Sequence, residues 1–246
     1  VWNPITKRLQ RIGGPGTCCA NPATFQLLSY AVSTDVWSLS ASPFDGAGHA
    51  YDSNALNPST GVHYFAKYND NIIHTWNGSA WGVLPALPFS PSITPSLTWF
   101  PDLNGGLGGR VYLGDDGRLA WYNGTSWTVL PNTAIVGYNQ VSQYDPVHRI
   151  VLFSNGTGLY KLSASLSITK LTNPPLSLGI SCSLLSNDPA TGAFIVTSLG
   201  NGAWWQYNVT TDTWSQLTGL VNAPNFGGQC NGSGSNHFQV PIPEYG

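Results

Sequence analysis

Charge is what this sequence has least of. Only 8% of its 246 residues are Asp, Glu, Lys or Arg, whereas an average soluble domain carries about 25%. The nine basic residues are scattered and the net charge is −2, so no basic surface exists to neutralise phosphates, and we expect no nucleic-acid binding. Such a surface must consist largely of Ser, Thr, Asn, Gln and Gly, which is typical of secreted and cell-surface proteins.

Methionine and long apolar runs are also missing. No apolar run approaches the roughly 20 residues that cross a bilayer, so we expect no transmembrane segment. The sequence contains no Met and begins with Val1, which indicates either a removed signal or pro-segment or a piece of a longer polypeptide. We therefore expect a secreted, extracellular location.

The residues that usually form catalytic and metal sites are few. Glycoside hydrolysis normally needs two positioned carboxylic acids, but Glu244 is the single Glu and most of the ten Asp occupy predicted turns. The five His show no metal-ligand spacing, and no Ser–His–Asp arrangement is visible. The Gly105–Gly109 segment does not match a phosphate-binding loop. We predict no catalytic residue, no metal and no cofactor, and we favour a protein that is not an enzyme.

What the sequence does contain is a repeated phrase: an aromatic residue, a turn of Asn, Ser, Thr or Gly, and then Trp. Four copies and one degenerate copy close at Trp37, Trp81, Trp127, Ile168 and Trp214, which are 44, 46, 41 and 46 residues apart. A period of 40–50 residues with strand-like content is typical of propeller blades. We predict an all-β propeller of about five four-stranded blades, with six blades, one of them partial, as the alternative.

Each repeat reads as four short strands separated by turn signals, as an all-β ring requires. The first strand ends in Asn-Pro or Asp-Pro, as at Asn57-Pro58, Asp145-Pro146 and Asp188-Pro189. We predict one domain over residues 1–246, in which a closing strand, 234–242, completes the first blade. The predicted repeats are approximately 1–45, 46–90, 91–134, 135–176 and 177–221.

These repeats resemble the kelch-type β-propeller, whose architecture the central domain of galactose oxidase shares. The kelch pattern is a double glycine, then Tyr, then Trp about six residues later. Gly13-Gly14, Tyr30 and Trp37 match it in the first repeat, and Tyr207 and Trp214 match it in the last. The middle repeats carry Gly114-Asp115 and Asn155-Gly156 in place of the double glycine. The resemblance implies the fold, and no copper site is carried over because its ligands do not align.

Aromatic residues are the candidates for both packing and ligand binding. We interpret the Trp that closes each repeat as filler between blades, because a Trp buries roughly 150–250 Å². Trp204 and Trp205 are adjacent, so they point to opposite faces of a strand and one of them faces solvent or a groove. The candidate ligand-binding residues are Trp99, Tyr138, Trp204 and Trp205.

Two kinds of covalent modification are predicted. Asn-x-Ser/Thr sites, which accept N-linked glycans, occur at Asn77, Asn123, Asn155, Asn208 and Asn231. Asn-Gly is also the preferred centre of a two-residue hairpin turn, so turn chemistry alone explains Asn77-Gly78 and Asn123-Gly124. The four cysteines allow three disulfide pairings. A bridge between Cys182 and Cys230 is favoured, which leaves Cys18 and Cys19 bonded to each other or reduced.

Three functions remain open. The first is a secreted binding module for a carbohydrate or a protein, supported by the 12% aromatic content and the low charge. The second is a self-associating subunit of an extracellular fibre or surface layer, assembled by strand exchange. The third is a propeller enzyme, an oxidase or a lyase. Fold does not decide among them.

Overall fold

A computed structural model describes residues 1–13, 24–45, 52–67, 69–89, 95–114, 116–131, 135–137, 140–154, 156–179, 183–221, 240 and 242. The chain divides into two compact units, Val1–Thr133 and Ala134–Gly246. The four cysteines, Tyr138, Asn155 and Asn231 lie outside the described residues, as do the predicted closing strand (apart from Val240 and Ile242, which are not in a strand), His49 and His237.

The first unit consists of three antiparallel sheets, each with four strands in chain order. Sheet 1 contains β1 (Trp2–Asn3), β2 (Arg8–Gly13), β3 (Thr24–Ala31) and β4 (Val36–Asp45). Sheet 2 contains β5 (Asn54–Leu56), β6 (His63–Ala66), β7 (Ile73–Trp76) and β8 (Trp81–Val83). Sheet 3 contains β9 (Ser96–Phe100), β10 (Gly109–Leu113), β11 (Leu119–Tyr122) and β12 (Trp127–Leu130).

The second unit repeats the same meander twice. Sheet 4 contains β13 (Val141–Asp145), β14 (Ile150–Ser154), β15 (Leu159–Ser163) and β16 (Ile168–Lys170). Sheet 5 contains β17 (Ser183–Asn187), β18 (Phe194–Ser198), β19 (Trp204–Asn208) and β20 (Thr213–Leu217). The expected all-β class is confirmed, with five four-stranded sheets in the described part of the chain. Its one helical turn, Leu103–Gly106, contains left-handed Asn104 and Gly105 and is a tight loop.

In four of the five sheets, all except sheet 3, the turn between the first and second strands carries the predicted Asn-Pro or Asp-Pro pair. In sheet 1, Asn3 Oδ1 accepts hydrogen bonds from the amides of Ile5 and Thr6, at 3.1 and 3.2 Å. In sheet 4, Asp145 Oδ1 accepts bonds from the amides of Val147 and His148 in the same way. A short acceptor side chain that caps its own turn explains why Asn and Asp recur here.

The hairpin between the third and fourth strands differs from the expected two-residue turn. Trp76 pairs with Trp81, so the loop has four residues, and only Gly78 among them has a positive φ. Asn77 instead accepts hydrogen bonds from the amides of Ser79 and Ala80, at 3.0 and 2.8 Å. The Asn123 hairpin is built alike, with bonds from Thr125 and Ser126. Side-chain capping therefore replaces the left-handed Asn of a type I′ turn.

In four of the five repeats, the two aromatic residues of the repeated motif form the same structure. The two rings are paired across the strands, with centroids 4.8 to 5.2 Å apart and ring planes tilted by 39° to 47°. Tilted pairs at this separation are favoured by the ring quadrupoles. The pairs are Tyr30–Trp37, Trp76–Trp81, Tyr122–Trp127 and Tyr207–Trp214.

Within each unit, the closing Trp connects its sheet to the preceding one. Trp127 packs on the cluster between sheets 2 and 3, and its indole N–H donates to the carbonyl of Pro85 at 2.8 Å. Trp214 packs on the cluster between sheets 4 and 5 and donates to the carbonyl of Thr172 at 3.3 Å. Trp81 packs on the cluster that contains Ile12 and Phe65. These contacts are the seams between the sheets.

The seam in the second unit has an additional anchor. Asp212 Oδ1 accepts hydrogen bonds from the Tyr207 hydroxyl, at 2.6 Å, and from the backbone amide of Thr172, at 2.8 Å. Partial burial raises the pKa of Asp212, but these hydrogen bonds outweigh it and the net pKa is lowered. Together with Trp214, Asp212 therefore binds both the N–H and the C=O of one peptide residue, Thr172.

Sheet 1 carries a copy of this anchor with the same internal geometry. The Tyr30 hydroxyl donates to Asp35 at 2.7 Å, and Asp35 and Asp212 share a left-handed backbone, with φ of 54° and 53°. Trp37, however, is 62% exposed, and Val36 and Leu39 on the same strand are exposed as well. The expectation that Trp37 is buried filler is therefore wrong for this repeat, although its pairing with Tyr30 is as predicted.

The matched Asp residues allow the seam hydrogen bond to be measured. Asp212→Ala and Asp35→Ala each remove a bond from Tyr and each place Ala at a positive φ. Only Asp212→Ala also removes the acceptor of the Thr172 amide. We expect Asp212→Ala to lower the free energy of unfolding by about 1 kcal/mol more than Asp35→Ala does, measured by urea denaturation of both variants. Equal losses would show that the Asp212–Thr172 bond contributes nothing to stability.

His63 is the most deeply buried ionisable group of sheet 2. It is fully buried, and its Nε2 donates to Asn54 Oδ1 at 2.8 Å, while Asn54 also binds the backbone N–H and C=O of Ile12. Nδ1 has no hydrogen-bond partner among the described residues. Burial, with a smaller contribution from the N-terminal amine, lowers the pKa of His63 well below its usual value. The imidazole is therefore neutral in the folded protein.

This burial makes stability depend on pH in a defined direction. The unfolded chain takes up a proton on His63 below about pH 6.5, and the folded chain does not. Stability is thus complete above that pH and falls as the pH decreases toward the lower, folded-state pKa. We expect a loss of up to about 2 kcal/mol between pH 7.5 and 5.0 from this residue, measured by denaturation at each pH.

His63→Gln is the control, because it removes the titration while it keeps a polar group that can bond to Asn54. The variant should lose less stability than the wild type over the same pH range, even though His74, whose pKa is also lowered by burial, still titrates in both. An NMR titration of the wild type serves as an independent readout. A His63 ring that becomes charged near pH 6.5 in the folded protein would contradict the assignment.

Candidate functional site

The most distinctive group of side chains in the described residues is one arginine among three aromatic rings. Trp99, Arg110 and Tyr122 lie directly opposite one another on β9, β10 and β11 and therefore share one face of sheet 3. Tyr64, on β6 of sheet 2, packs against them, with its ring stacked on Trp99 at 6.1 Å and 6°. We call Tyr64, Trp99, Arg110 and Tyr122 the Arg110 cluster.

The guanidinium is held by the rings. Its Cζ lies 4.1 Å from the Tyr64 ring centroid, 5.0 Å from that of Trp99 and 5.2 Å from that of Tyr122. Arg110 Nη2 donates a hydrogen bond to the Tyr64 hydroxyl. Tyr64 and Tyr122 are almost fully buried, whereas Trp99 and Arg110 are half-buried. The cluster thus reaches from the core between sheets 2 and 3 to the surface.

The loop beside the cluster is the longest of its kind in the structure. Eight residues separate β9 from β10, whereas four to six separate the first two strands of the other sheets. Gly108 (φ +84°) allows the loop to pass over Trp99, because a Cβ there would lie 2.4 Å from the indole ring. Gly105 and Gly106 have open space where a Cβ would be, and Leu107 is 79% exposed. The tip of this loop, 105–107, is therefore exposed, whereas Gly108 packs against the indole of Trp99.

Two other predicted ligand-binding residues, Trp204 and Trp205, lie on β19 of sheet 5. Trp205 packs against the cluster between sheets 4 and 5, beside Tyr207 and Trp214. Trp204 points to the opposite face of β19, is half-buried, and its Nε1 has no hydrogen-bond partner among the described residues. Trp204 and Trp205 belong to sheet 5 of the second unit, and Trp99 belongs to sheet 3 of the first.

The predicted glycosylation sites that the structure describes all lie at the hairpin between the third and fourth strands of a sheet. Asn77 and Asn208 are exposed, and Asn123 is half-buried. In each, the side-chain oxygen accepts hydrogen bonds from two backbone amides of its own turn. The Nδ2 atom, to which an N-linked glycan would be attached, forms no such bond, and glycosylation at these positions stays a prediction.

One arrangement in the second unit was not recognised in the sequence. Asp145 Oδ2 lies 2.6 Å from His148 Nδ1, and His148 Nε2 lies 2.9 Å from Thr210 Oγ1. The order of groups is that of an Asp–His–hydroxyl relay. The amides of Thr210 and Thr211, however, both donate to Asn208 and are not available to stabilise an oxyanion. We interpret these three side chains as a structural hydrogen-bonded link between the turn after β13 in sheet 4 and the β19–β20 hairpin in sheet 5.

The packing around His148 fits that interpretation. Gly192, with φ +74°, lies against the imidazole so closely that a Cβ would be 2.6 Å from the ring. Asp145 and His148 are three residues apart in one turn, so their proximity is local and visible in the sequence. Thr210 is 62 residues further along, and only the alignment of the two sheets brings it to the imidazole.

The described residues lack two other kinds of feature. They contain no group of three or more His, Cys, Asp or Glu residues that could hold a metal ion. They also contain no helix with the length and apolar character needed to cross a membrane.

Sequence comparison identifies no relatives. No protein-family model matches this chain, and no curated protein is significantly similar to it.

Solved structures are similar to the chain in fold. A chain of the nidogen/laminin complex has a TM-score of 0.62 and 9% identity, over 88% of this chain and 77% of its own length. The GH74 enzyme of Niastella koreensis has a TM-score of 0.57 and 16% identity over 97% of this chain, which spans 33% of the enzyme. A protein of unknown function from Bacteroides thetaiotaomicron has a TM-score of 0.54 and 10% identity, over 89% of this chain and 60% of its own.

At these identities the similarity establishes the fold and no activity. The neighbours include both a propeller seen in a protein complex and an enzyme, so they do not distinguish binding from catalysis. The kelch-type resemblance is not confirmed by them. The five four-stranded sheets are the blades of a β-propeller.

Proposed function

We propose that this chain is a secreted, non-catalytic binding module, and that it binds a carbohydrate at the Arg110 cluster. The observation that supports this is the combination, at one surface, of a half-buried indole, a guanidinium with unused donors and an open glycine loop. Ring faces pack on the C–H surfaces of sugars, and convergent polar groups fix the orientation of a ligand. The low charge of the chain and its Asn-x-Ser/Thr sites support secretion.

The proposal is tested by removing the half-buried indole of Trp99. Screening on a glycan array identifies ligands, and titration calorimetry then compares the wild type with Trp99→Ala. We expect at least tenfold weaker binding, since truncation of an aromatic residue at the centre of an interface commonly costs 2 kcal/mol or more. Trp37→Ala is the matched control, because Trp37 is a more exposed Trp of the same unit outside the cluster.

Four further variants keep the test informative. Trp99→Phe retains a ring that can stack on Tyr64 and serves if Trp99→Ala does not fold. Trp204→Ala, Trp205→Ala and Tyr138→Ala examine the remaining candidates. If binding is lost only in one of these, the function stands and the Arg110 cluster is not the site. If the array gives no ligand, carbohydrate binding is wrong.

A second candidate function is self-association as a subunit of an extracellular fibre or surface layer, in which a second copy of the chain covers strand β4. The observation that favours it is the exposure of Val36, Trp37 and Leu39 on this one strand. In the second unit, the equivalent Asp212 and Trp214 bind a backbone segment that ends a strand.

Analytical ultracentrifugation decides between a monomer and an assembly. Self-association predicts a sedimentation coefficient that rises with protein concentration in the low micromolar range. Trp37→Asp should abolish that rise, while Leu107→Asp, which changes an exposed residue outside β4, should not. A wild-type protein that sediments as a monomer throughout the range rejects this function.

A further inference from the structure

Arg110 is a cation without a counter-charge among the residues that the structure describes. No described carboxylate forms an ion pair with it, and its one hydrogen bond goes to the neutral hydroxyl of Tyr64. Its Nε is buried and has no acceptor. Arg118, on the same sheet, is paired with Asp116 instead. Arg110 is thus a half-buried guanidinium with most of its five donors unused.

The aromatic rings stabilise the charge but leave the hydrogen bonds unmade. A cation over a ring gains about 0.5–2 kcal/mol, and Arg110 lies near three rings. The rings do not accept the N–H groups that lie in the guanidinium plane. An unpaired charged group at a partly buried position is costly. A carboxylate can accept two parallel N–H bonds from one guanidinium, and such bidentate pairs are among the strongest in proteins.

The fold itself does not require a charge at this position. Arg110 is the residue of the second strand that lies opposite the first ring of the aromatic pair, Tyr122. The equivalent residues of the other sheets are an aliphatic residue, a neutral buried histidine or an aromatic residue. They are Leu9, His63, Phe194 and, in sheet 4, Val151, which lies opposite Leu162, the partner of Ile168. Packing at this point therefore uses uncharged side chains in four sheets out of five.

We propose that the ligand of the Arg110 cluster carries a carboxylate and is an acidic saccharide, one that contains uronic acid residues. The carboxylate lies against Arg110, and the pyranose ring packs on the exposed part of Trp99. The inference rests on the proposed carbohydrate binding and adds the charge of the ligand. In the adjacent loop, Gly105 and Gly106 have open space where a Cβ would be, and Gly108 packs on one edge of the Trp99 indole.

The test compares uronate oligosaccharides with their own methyl esters, in which a neutral ester replaces the charged carboxylate. The panel contains oligogalacturonate, oligomannuronate and a glucuronate-bearing xylo-oligosaccharide, each as acid and as ester, titrated at low salt and at 0.3 M NaCl. We expect at least one acid to bind ten times more tightly than its ester, a preference that weakens as salt screens the charge.

Arg110→Leu should remove the preference for the acid. It should also leave the folding temperature unchanged or raised, because Leu9 occupies the same position in sheet 1. Arg110→Lys retains the charge but not the planar pair of donors, and it should reduce the preference. This second variant provides the test if Arg110→Leu does not fold. An unchanged acid preference in both variants overturns the assignment to Arg110.

The outcomes separate the two proposals. If neutral glycans bind on the array and no acid binds better than its ester, the acidic ligand is wrong and carbohydrate binding remains. If no glycan binds, both proposals fail. If a Glu-rich peptide binds in an Arg110-dependent way and no uronate does, the site recognises acidic protein and the saccharide assignment is overturned.

Discussion

In each unit, one seam between neighbouring sheets depends on a backbone carbonyl that accepts the indole N–H of the following sheet's Trp. A four-stranded sheet has two faces, and each must be covered to keep its aliphatic side chains out of water. Trp127 and Trp214 provide apolar area for this and a directional bond to Pro85 and Thr172. Burial alone would let neighbouring sheets slide, whereas the bond fixes which residue of one sheet meets which residue of the next.

The same constraint explains why the sequence predicts the architecture so well. A Trp that must reach a carbonyl on the preceding sheet recurs with the period of the sheets, and Asn or Asp recurs where a turn needs an acceptor. Both patterns are local and periodic, so they are visible in one sequence. The pattern is misleading at Trp37. Its pairing with Tyr30 is a local contact, as predicted, but burial of its indole would require contacts with residues distant in the sequence, and the side chain is exposed.

The arrangement of the candidate site, in contrast, is not visible in local, periodic sequence patterns. Trp99 could be chosen from the sequence as an aromatic candidate, but its partners could not. Arg110 reaches it through strand pairing, and Tyr64 reaches it from the preceding sheet. Neither of these two contacts recurs with the repeat, so the sequence does not reveal it. The His148–Thr210 contact is hidden for the same reason. Contacts set by the packing of one sheet on another need the structure, and in these sheets they include the groups that suggest a function.

Hydrogen exchange of the indole N–H groups, followed by NMR on protein labelled with ¹⁵N-Trp, measures the seams directly. The Trp127 and Trp214 indole protons are bonded to carbonyls of the preceding sheets and should exchange slowly, on the timescale of sheet separation. The Trp37 indole is 62% exposed and should exchange at nearly the rate of free tryptophan. Equal and rapid exchange at all three positions would contradict the account of the seams.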